Sequence, residues 1–130
     1  MSGSFKDVFG GHFDQEDETT YVPWRTCQQG ATMYFKLVTP EDSNEPERHI
    51  PYLQPITIEY HRDTGQLCLL CHSTGVKIFI EGRGLAELAN QIAEKRVKSV
   101  HVFDTRKYQP LGNEVAVVIG ITIEQLSGIY

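Results

Sequence analysis

The sequence predicts an α+β domain that combines a mostly antiparallel sheet with one amphipathic helix. Residues 55–81 consist of three short apolar-rich segments divided by two turn sequences, as in a three-stranded β-meander. Residues 85–93 carry apolar side chains at helical spacing, and two more alternating segments follow them. Consecutive strands joined by short turns and accompanied by a single helix indicate antiparallel pairing, with the helix lying across one face of the sheet.

The first 20 residues are acidic and polar, so we expect a flexible tail followed by a single domain over residues 21–130. This tail lacks the apolar segment of a secretory signal peptide, and no run in the chain approaches the roughly 20 apolar residues of a membrane span. We therefore predict a cytoplasmic protein without membrane contact, whose three cysteines are reduced thiols.

One strand and one long loop are predicted before the meander. Tyr21-Val22-Pro23-Trp24 is a short apolar segment, and its proline favours an extended or edge position. Met33, Phe35 and Leu37 alternate with polar residues over 31–39, as in a strand. Residues 40–55 contain four prolines and five charged residues, which predicts a surface loop.

The meander strands are expected at residues 56–61, 66–72 and 76–81, with turns at 62–65 and 73–75. If the first turn pairs His61 with Gln66, Ile58 lies opposite Leu69. Gly82-Arg83-Gly84 then ends the third strand, and a helix follows. One apolar stripe of this helix consists of Leu85, Leu88, Ala89, Ile92 and Ala93.

The last two strands are predicted at residues 97–103 and 114–124. On one face the final strand would carry Val115, Val117, Ile119, Ile121 and Ile123. In the meander we expect apolar residues on both faces. Leu67, Leu69 and Cys71 lie on one face and Cys68, Leu70, Val76, Ile78 and Ile80 on the other. One helix covers one face, so the second face requires the segment 21–24, a curled sheet or another copy of the protein.

Cys68-Leu69-Leu70-Cys71-His72 matches the C-x-x-C-H pattern of c-type haem attachment. Side chains three apart on a strand point to opposite faces, so the two thiols cannot converge on one porphyrin or one zinc ion. We therefore interpret both cysteines as buried strand residues and predict neither a metal site nor a cofactor. A haem, metal or redox role for Cys68, Cys71 and His72 is the least favoured alternative.

Two further groups of residues are candidate contact sites. Gly82, Arg83 and Gly84 precede a helix and could present backbone amides to an anion, although a tight strand-to-helix turn is the favoured explanation. The basic stretch 95–107 could contact nucleic acid or an acidic partner. Its cations are Lys95, Arg96, Lys98, Arg106 and Lys107.

Charge and motifs together favour an interaction protein. The net charge of −5 disfavours non-specific nucleic-acid binding, and no nucleophile or acid–base signature for an enzyme is recognisable. We predict a small non-enzymatic module of unknown pathway that forms a homo-oligomer through a sheet face or edge, or binds another protein. The alternative is a nucleic-acid-associated regulatory protein that uses the basic stretch.

Overall fold

The computed structural model of the protein describes residues 19–27, 30–112 and 115–126. Within these ranges the chain forms eight strands and one helix. They are β1 (Trp24–Thr26), β2 (Tyr34–Val38), β3 (Arg48–Pro51), β4 (Ile56–His61), β5 (Gln66–Cys71), β6 (Val76–Arg83), α1 (Ala86–Ala93), β7 (Val97–His101) and β8 (Val117–Gln125).

The strands form two four-stranded sheets. The meander sheet has the order β4-β5-β6-β8, and all of its neighbours are antiparallel. The mixed sheet has the order β1-β7-β2-β3, in which β2 and β7 are parallel and the other pairs antiparallel. The predicted fold class, α+β with mostly antiparallel strands, is confirmed.

The first hairpin of the meander has the predicted register. His61 lies opposite Gln66, and Ile58 lies opposite Leu69. The turn between them ends at Gly65, whose φ of +77° lies in the left-handed region that a residue with a side chain rarely adopts.

The second hairpin differs from the prediction by one residue. A three-residue turn at 73–75 would place His72 opposite Val76, whereas in the structure Cys71 occupies that position. A slip of one residue moves every side chain of a strand to the other face of the sheet. The predicted distribution of apolar residues over two faces was therefore wrong, and Val76, Ile78 and Ile80 share the inner face with Leu67, Leu69 and Cys71.

A single core fills the space inside the molecule. Its residues come from the inner face of the meander sheet, from the mixed sheet and from the helix. Phe35, Leu37 and Val100 of the mixed sheet are fully buried in it. The second sheet thus provides the cover that the sequence prediction sought from the segment 21–24 or from another copy.

The helix contributes the predicted stripe with one exception. Leu85, just before α1, and Leu88 and Ile92 within it are buried, but Ala93 at its end is exposed. The helix contacts β4 and β7. It ends where Lys95 adopts a φ of +62°, and the amide of this residue donates to the carbonyl of Ile92.

The prediction of a loop over residues 40–55 was wrong for part of its length, because β3 lies there. Ile50 of β3 is opposite Phe35 of β2, and both are buried. Just after β3, the hydroxyl of Tyr52 donates to the carbonyl of Val97 at 2.8 Å. The buried side chains of Ile50 and Tyr52 therefore hold in place a segment whose composition is typical of a loop.

The segment 21–24 joins the two sheets. Trp24 begins β1, an edge strand as its proline-bearing sequence predicts, and its Nε1 donates to Oε1 of Gln91 at 2.9 Å. The Tyr21 hydroxyl donates to the carbonyl of His101 and accepts from the amide of Val118. It thereby links the end of β7 to the start of β8.

Most of the predicted N-terminal tail, residues 1–18, lies outside the described residues. At the first described position, the carbonyl of Thr19 accepts a hydrogen bond from the amide of Gln109 at 2.9 Å. In the described part of the chain, no helix is long and apolar enough to cross a bilayer.

Candidate interaction surface on β8

Among the described residues, the last strand forms an edge of the meander sheet, with β6 as its ladder partner. The amide of Leu126, just after β8, donates to the carbonyl of Gly75 at 2.8 Å. Backbone groups in an antiparallel ladder point alternately toward and away from the neighbouring strand. Thr122 and Glu124 therefore direct their amides and carbonyls toward β6, whereas Ile121 and Ile123 direct theirs away from the sheet.

The beginning of β8 is occupied by other parts of the chain. The amide of Val118 donates to the Tyr21 hydroxyl at 2.9 Å, and its carbonyl accepts from the amide of Phe103 at 2.8 Å. A β-bulge follows, because Gly82 pairs with Val118 and Glu81 with Gly120. The open part of the edge consequently begins beyond the bulge.

Because of this bulge, the prediction that five apolar residues of the strand share one face was wrong. Ile119 is the extra residue and is 65% exposed, whereas Val118 is fully buried and Ile121 faces the core. An inserted residue shifts the alternation, so the predicted row of five apolar residues is broken at Ile119. A Cβ at Gly82 would lie 1.9 Å from the carbonyl oxygen of Val117, so the bulge depends on this glycine.

The open edge has few of the features that protect sheet edges from pairing. Natural edges are short, charged, kinked or interrupted by proline. Of the nine residues of β8 only Glu124 is charged, and none is proline. The other edges in the described part of the chain are shorter. The strand β1 has three residues, β3 has four and ends at Pro51, and β4 has six.

An apolar groove of about 430 Å³ lies beside the start of β8. We call it the β8 groove, and its lining includes Phe103, Tyr108, Leu111, Val117 and Ile119. The aromatic side chains of its wall contact one another. The rings of Phe103 and Tyr108 are stacked with centroids 5.7 Å apart, and Tyr21 contacts both rings edge-on.

The predicted anion-binding residues lie next to this groove. Arg83 ends β6, and its guanidinium donates to the carbonyls of Val115 at 3.0 Å and Gly112 at 2.8 Å. Gly82 approaches the backbone of β8, and Gly84 has a φ of +70° with Ala116 beside it. In this arrangement the three residues connect β6 to the segment before β8. Anion binding by them stays a prediction.

The cations of the predicted basic stretch lie in two groups along the chain, and their contact with nucleic acid or an acidic partner stays a prediction. Lys95, Arg96 and Lys98 lie around the start of β7, and Arg106 and Lys107 follow its end. Lys98 is the second residue of β7, so three residues of the strand and the segment after it lie between the two groups. The guanidinium of Arg96 also donates to the carbonyl of Cys27 at 3.2 Å, which engages it within the protein.

The second group takes part in a charge network. The guanidinium of Arg106 contacts the carboxylates of Asp42 at 3.0 Å and Asp104 at 3.4 Å. The backbone amide of Arg106 donates to the Asp104 carboxylate, and this hydrogen bond, assisted by the guanidinium, lowers the pKa of Asp104. The network lines a crevice of about 670 Å³ at the carboxyl ends of β2 and β7, where acidic and basic groups lie beside apolar side chains.

The C-x-x-C-H cysteines point to opposite faces, as predicted. Cys71 is fully buried in the core, and burial raises its pKa to about 11. Cys68 lies on the outer face and is also buried, as predicted, with its Sγ 3.6 Å from Oε1 of Gln66. His72 contacts the hydroxyl of Thr57 at 2.7 Å. Among the described residues, no three His, Cys, Asp or Glu side chains gather as ligands for a metal ion.

Comparison of the chain with protein-family models, with curated proteins and with solved structures gives no match. The surface around β8 is consequently interpreted from its own geometry.

The sequence indicated part of this surface. It predicted association through a sheet face or edge, but not the groove. Phe103 was expected to end the strand 97–103, and Tyr108 was expected in the connection that follows it. Phe103 and Tyr108 sit five residues apart, a spacing that fits neither a strand face nor a helix stripe. Both rings contact Tyr21, which is more than 80 residues away in the sequence, and no local pattern around Tyr21 indicates this contact.

Replacing Cys71 with serine should lower the free energy of unfolding by about 1–3 kcal/mol, because a hydroxyl would enter an apolar environment. Cys68→Ser is the matched control. Its hydroxyl would face Gln66 on the outer face, so its effect should be smaller. Urea denaturation monitored by tryptophan fluorescence measures both values, and equal effects would contradict the different environments of the two thiols.

Proposed function

We propose that this protein is a small, non-enzymatic interaction module that self-associates through the edge of β8. The observation that supports this proposal is the outward direction of the Ile121 and Ile123 backbone groups on a strand with little edge protection. Association through a sheet face has less support, since Val76, Ile78 and Ile80 lie on the inner face and are covered by the rest of the fold.

The simplest assembly is a dimer in which two β8 strands pair antiparallel about a two-fold axis. With the axis at Thr122, Ile121 lies opposite the partner's Ile123, and each such pair exchanges two backbone hydrogen bonds. On the outer face Thr122 meets the partner's Thr122, and Glu124 meets the partner's Gly120. This register brings no like charges together and joins the two meander sheets into one.

A lysine in place of Thr122 tests this arrangement. In the dimer two lysines would lie directly opposite each other at the axis, and like charges in that position are unfavourable. We expect the dissociation constant to rise at least about tenfold, which corresponds to roughly 1.4 kcal/mol. Sedimentation velocity over a range of protein concentrations measures this constant.

The control is Thr57→Lys. Thr57 is also an exposed threonine on the outer face of an edge strand, but it belongs to β4 at the opposite side of the sheet. This variant should associate as the parent protein does. A parent that stays monomeric at the highest attainable concentration would contradict the proposal, as would equal weakening by the two lysines.

A further inference from the structure

The β8 groove lies where a partner strand would have to leave the sheet. In the register centred on Thr122, the partner's Leu126 comes opposite Val118. There the ladder cannot continue, because the Val118 carbonyl already accepts from Phe103 and its amide donates to Tyr21. The partner chain must therefore turn out of the edge at this point, and the groove begins there.

The groove and the partner's Leu126 lie on the same face of the joined sheet. Ile119 lines the groove and also a second cavity with Gln66 and Glu81, whose side chains belong to the outer face. Leu126 continues the alternation of Thr122 and Glu124, which are exposed on that face. The partner's leucine would therefore arrive on the side of the sheet where the groove is open.

The chemistry of the two surfaces also agrees. The groove walls include the rings of Phe103 and Tyr108 and the aliphatic side chains of Leu111 and Ile119, with Arg83 and Thr105 beside them. Leu126 itself is only half-buried in a single chain. Moving a leucine out of water and covering an isoleucine that is 65% exposed would both favour association.

We infer that the β8 groove is the docking site for Leu126 of a second copy of this chain. The dimer contains two such contacts, one on each side of the axis, and the groove determines the register of the paired strands. This inference rests on the proposed self-association through β8, and it adds the side-chain contact that sets the register of the two strands. The occupant is a second copy rather than a different protein, because the register that pairs the two edges also delivers Leu126 to the groove.

Disulfide cross-linking tests the contact directly. Two single variants, Ile119→Cys and Leu126→Cys, are prepared with Cys27→Ser in the background, because Cys27 is the half-buried thiol among the three. After the two variants are mixed and mildly oxidised, we expect a covalent dimer. Each variant alone should give little, since Ile119 lies far from the partner's Ile119 in this register. Leu126→Cys mixed with Thr57→Cys is the control for random collisions.

A second measurement uses Leu126→Ala, which should raise the dissociation constant of the dimer about ten- to a hundredfold. The results separate the two proposals. A dimer that is sensitive to Thr122→Lys but gives no specific cross-link and is unaffected by Leu126→Ala would overturn the groove contact and leave the edge pairing intact. A parent protein that never dimerises would overturn both.

Discussion

Replacing Leu88 with alanine is expected to lower the free energy of unfolding by about 2–5 kcal/mol, through lost burial and the cavity left behind. Leu88 is fully buried on the core side of α1. The helix has only eight residues, which is too short to be stable on its own in water. It is therefore held by the packing of its apolar face, and Leu88 lies in the middle of that face.

Asn90→Ala is the matched control, because Asn90 is exposed on the same helix and its replacement should change the stability by less than about 0.5 kcal/mol. Gln91 is unsuitable, since its side chain accepts the hydrogen bond from Trp24 and donates to Glu87. Chemical denaturation monitored by circular dichroism gives both values. Small and equal effects would mean that α1 does not pack against the core as described.

The second large effect is expected for Gly82→Ala, which should cost about 3 kcal/mol or more, at the upper end of the range for overpacked sites. The added Cβ would lie 1.9 Å from the carbonyl oxygen of Val117 and 3.1 Å from Cα of Val118. Both atoms belong to the backbone, so the clash cannot be relieved by a side-chain rotation. The strand β8 would have to move away from β6 at the bulge.

Two other glycines provide controls for this substitution. A Cβ at Gly120, in the neighbouring strand β8, would meet the Glu81 carboxylate at 3.7 Å, an ordinary contact, and a Cβ at Gly112 would meet nothing within 4 Å. Alanine at either position should be tolerated much better. Thermal unfolding of the three variants ranks them, and a Gly82→Ala protein as stable as the other two would contradict the close approach of β6 and β8.

Local patterns were sufficient to predict the first hairpin and the helix. The turn 62–65 sets the register of β4 and β5, and the spacing of Leu88 and Ile92 identifies the buried side of α1. The second hairpin shows how little information separates two outcomes. A three-residue turn pairs Val76 with His72, and a four-residue turn pairs it with Cys71, as the structure has it. The sequence is compatible with both turns, yet the choice decides which face of β6 is buried.

Long-range pairing could not be predicted in this way. The parallel pairing of β2 with β7 joins segments about 60 residues apart, and nothing in either strand identifies the other. The same holds for Ile50, which is buried because Phe35 lies opposite it. The bulge at Ile119 is a further case, since it arises where Gly82 allows two backbones to approach.

The tyrosine that joins the two sheets also sets an alkaline limit to the fold. Burial raises the pKa of Tyr21 well above the ordinary value of about 10, and burial likewise raises that of Tyr52, which donates to the carbonyl of Val97. In the unfolded chain both phenols ionise near pH 10, whereas in the folded protein they stay protonated. Their contribution to stability is therefore complete below pH 10 and declines as the solution becomes more basic. In strong base both phenols lose their protons, and with them the hydrogen bonds that Tyr21 donates to His101 and Tyr52 donates to Val97.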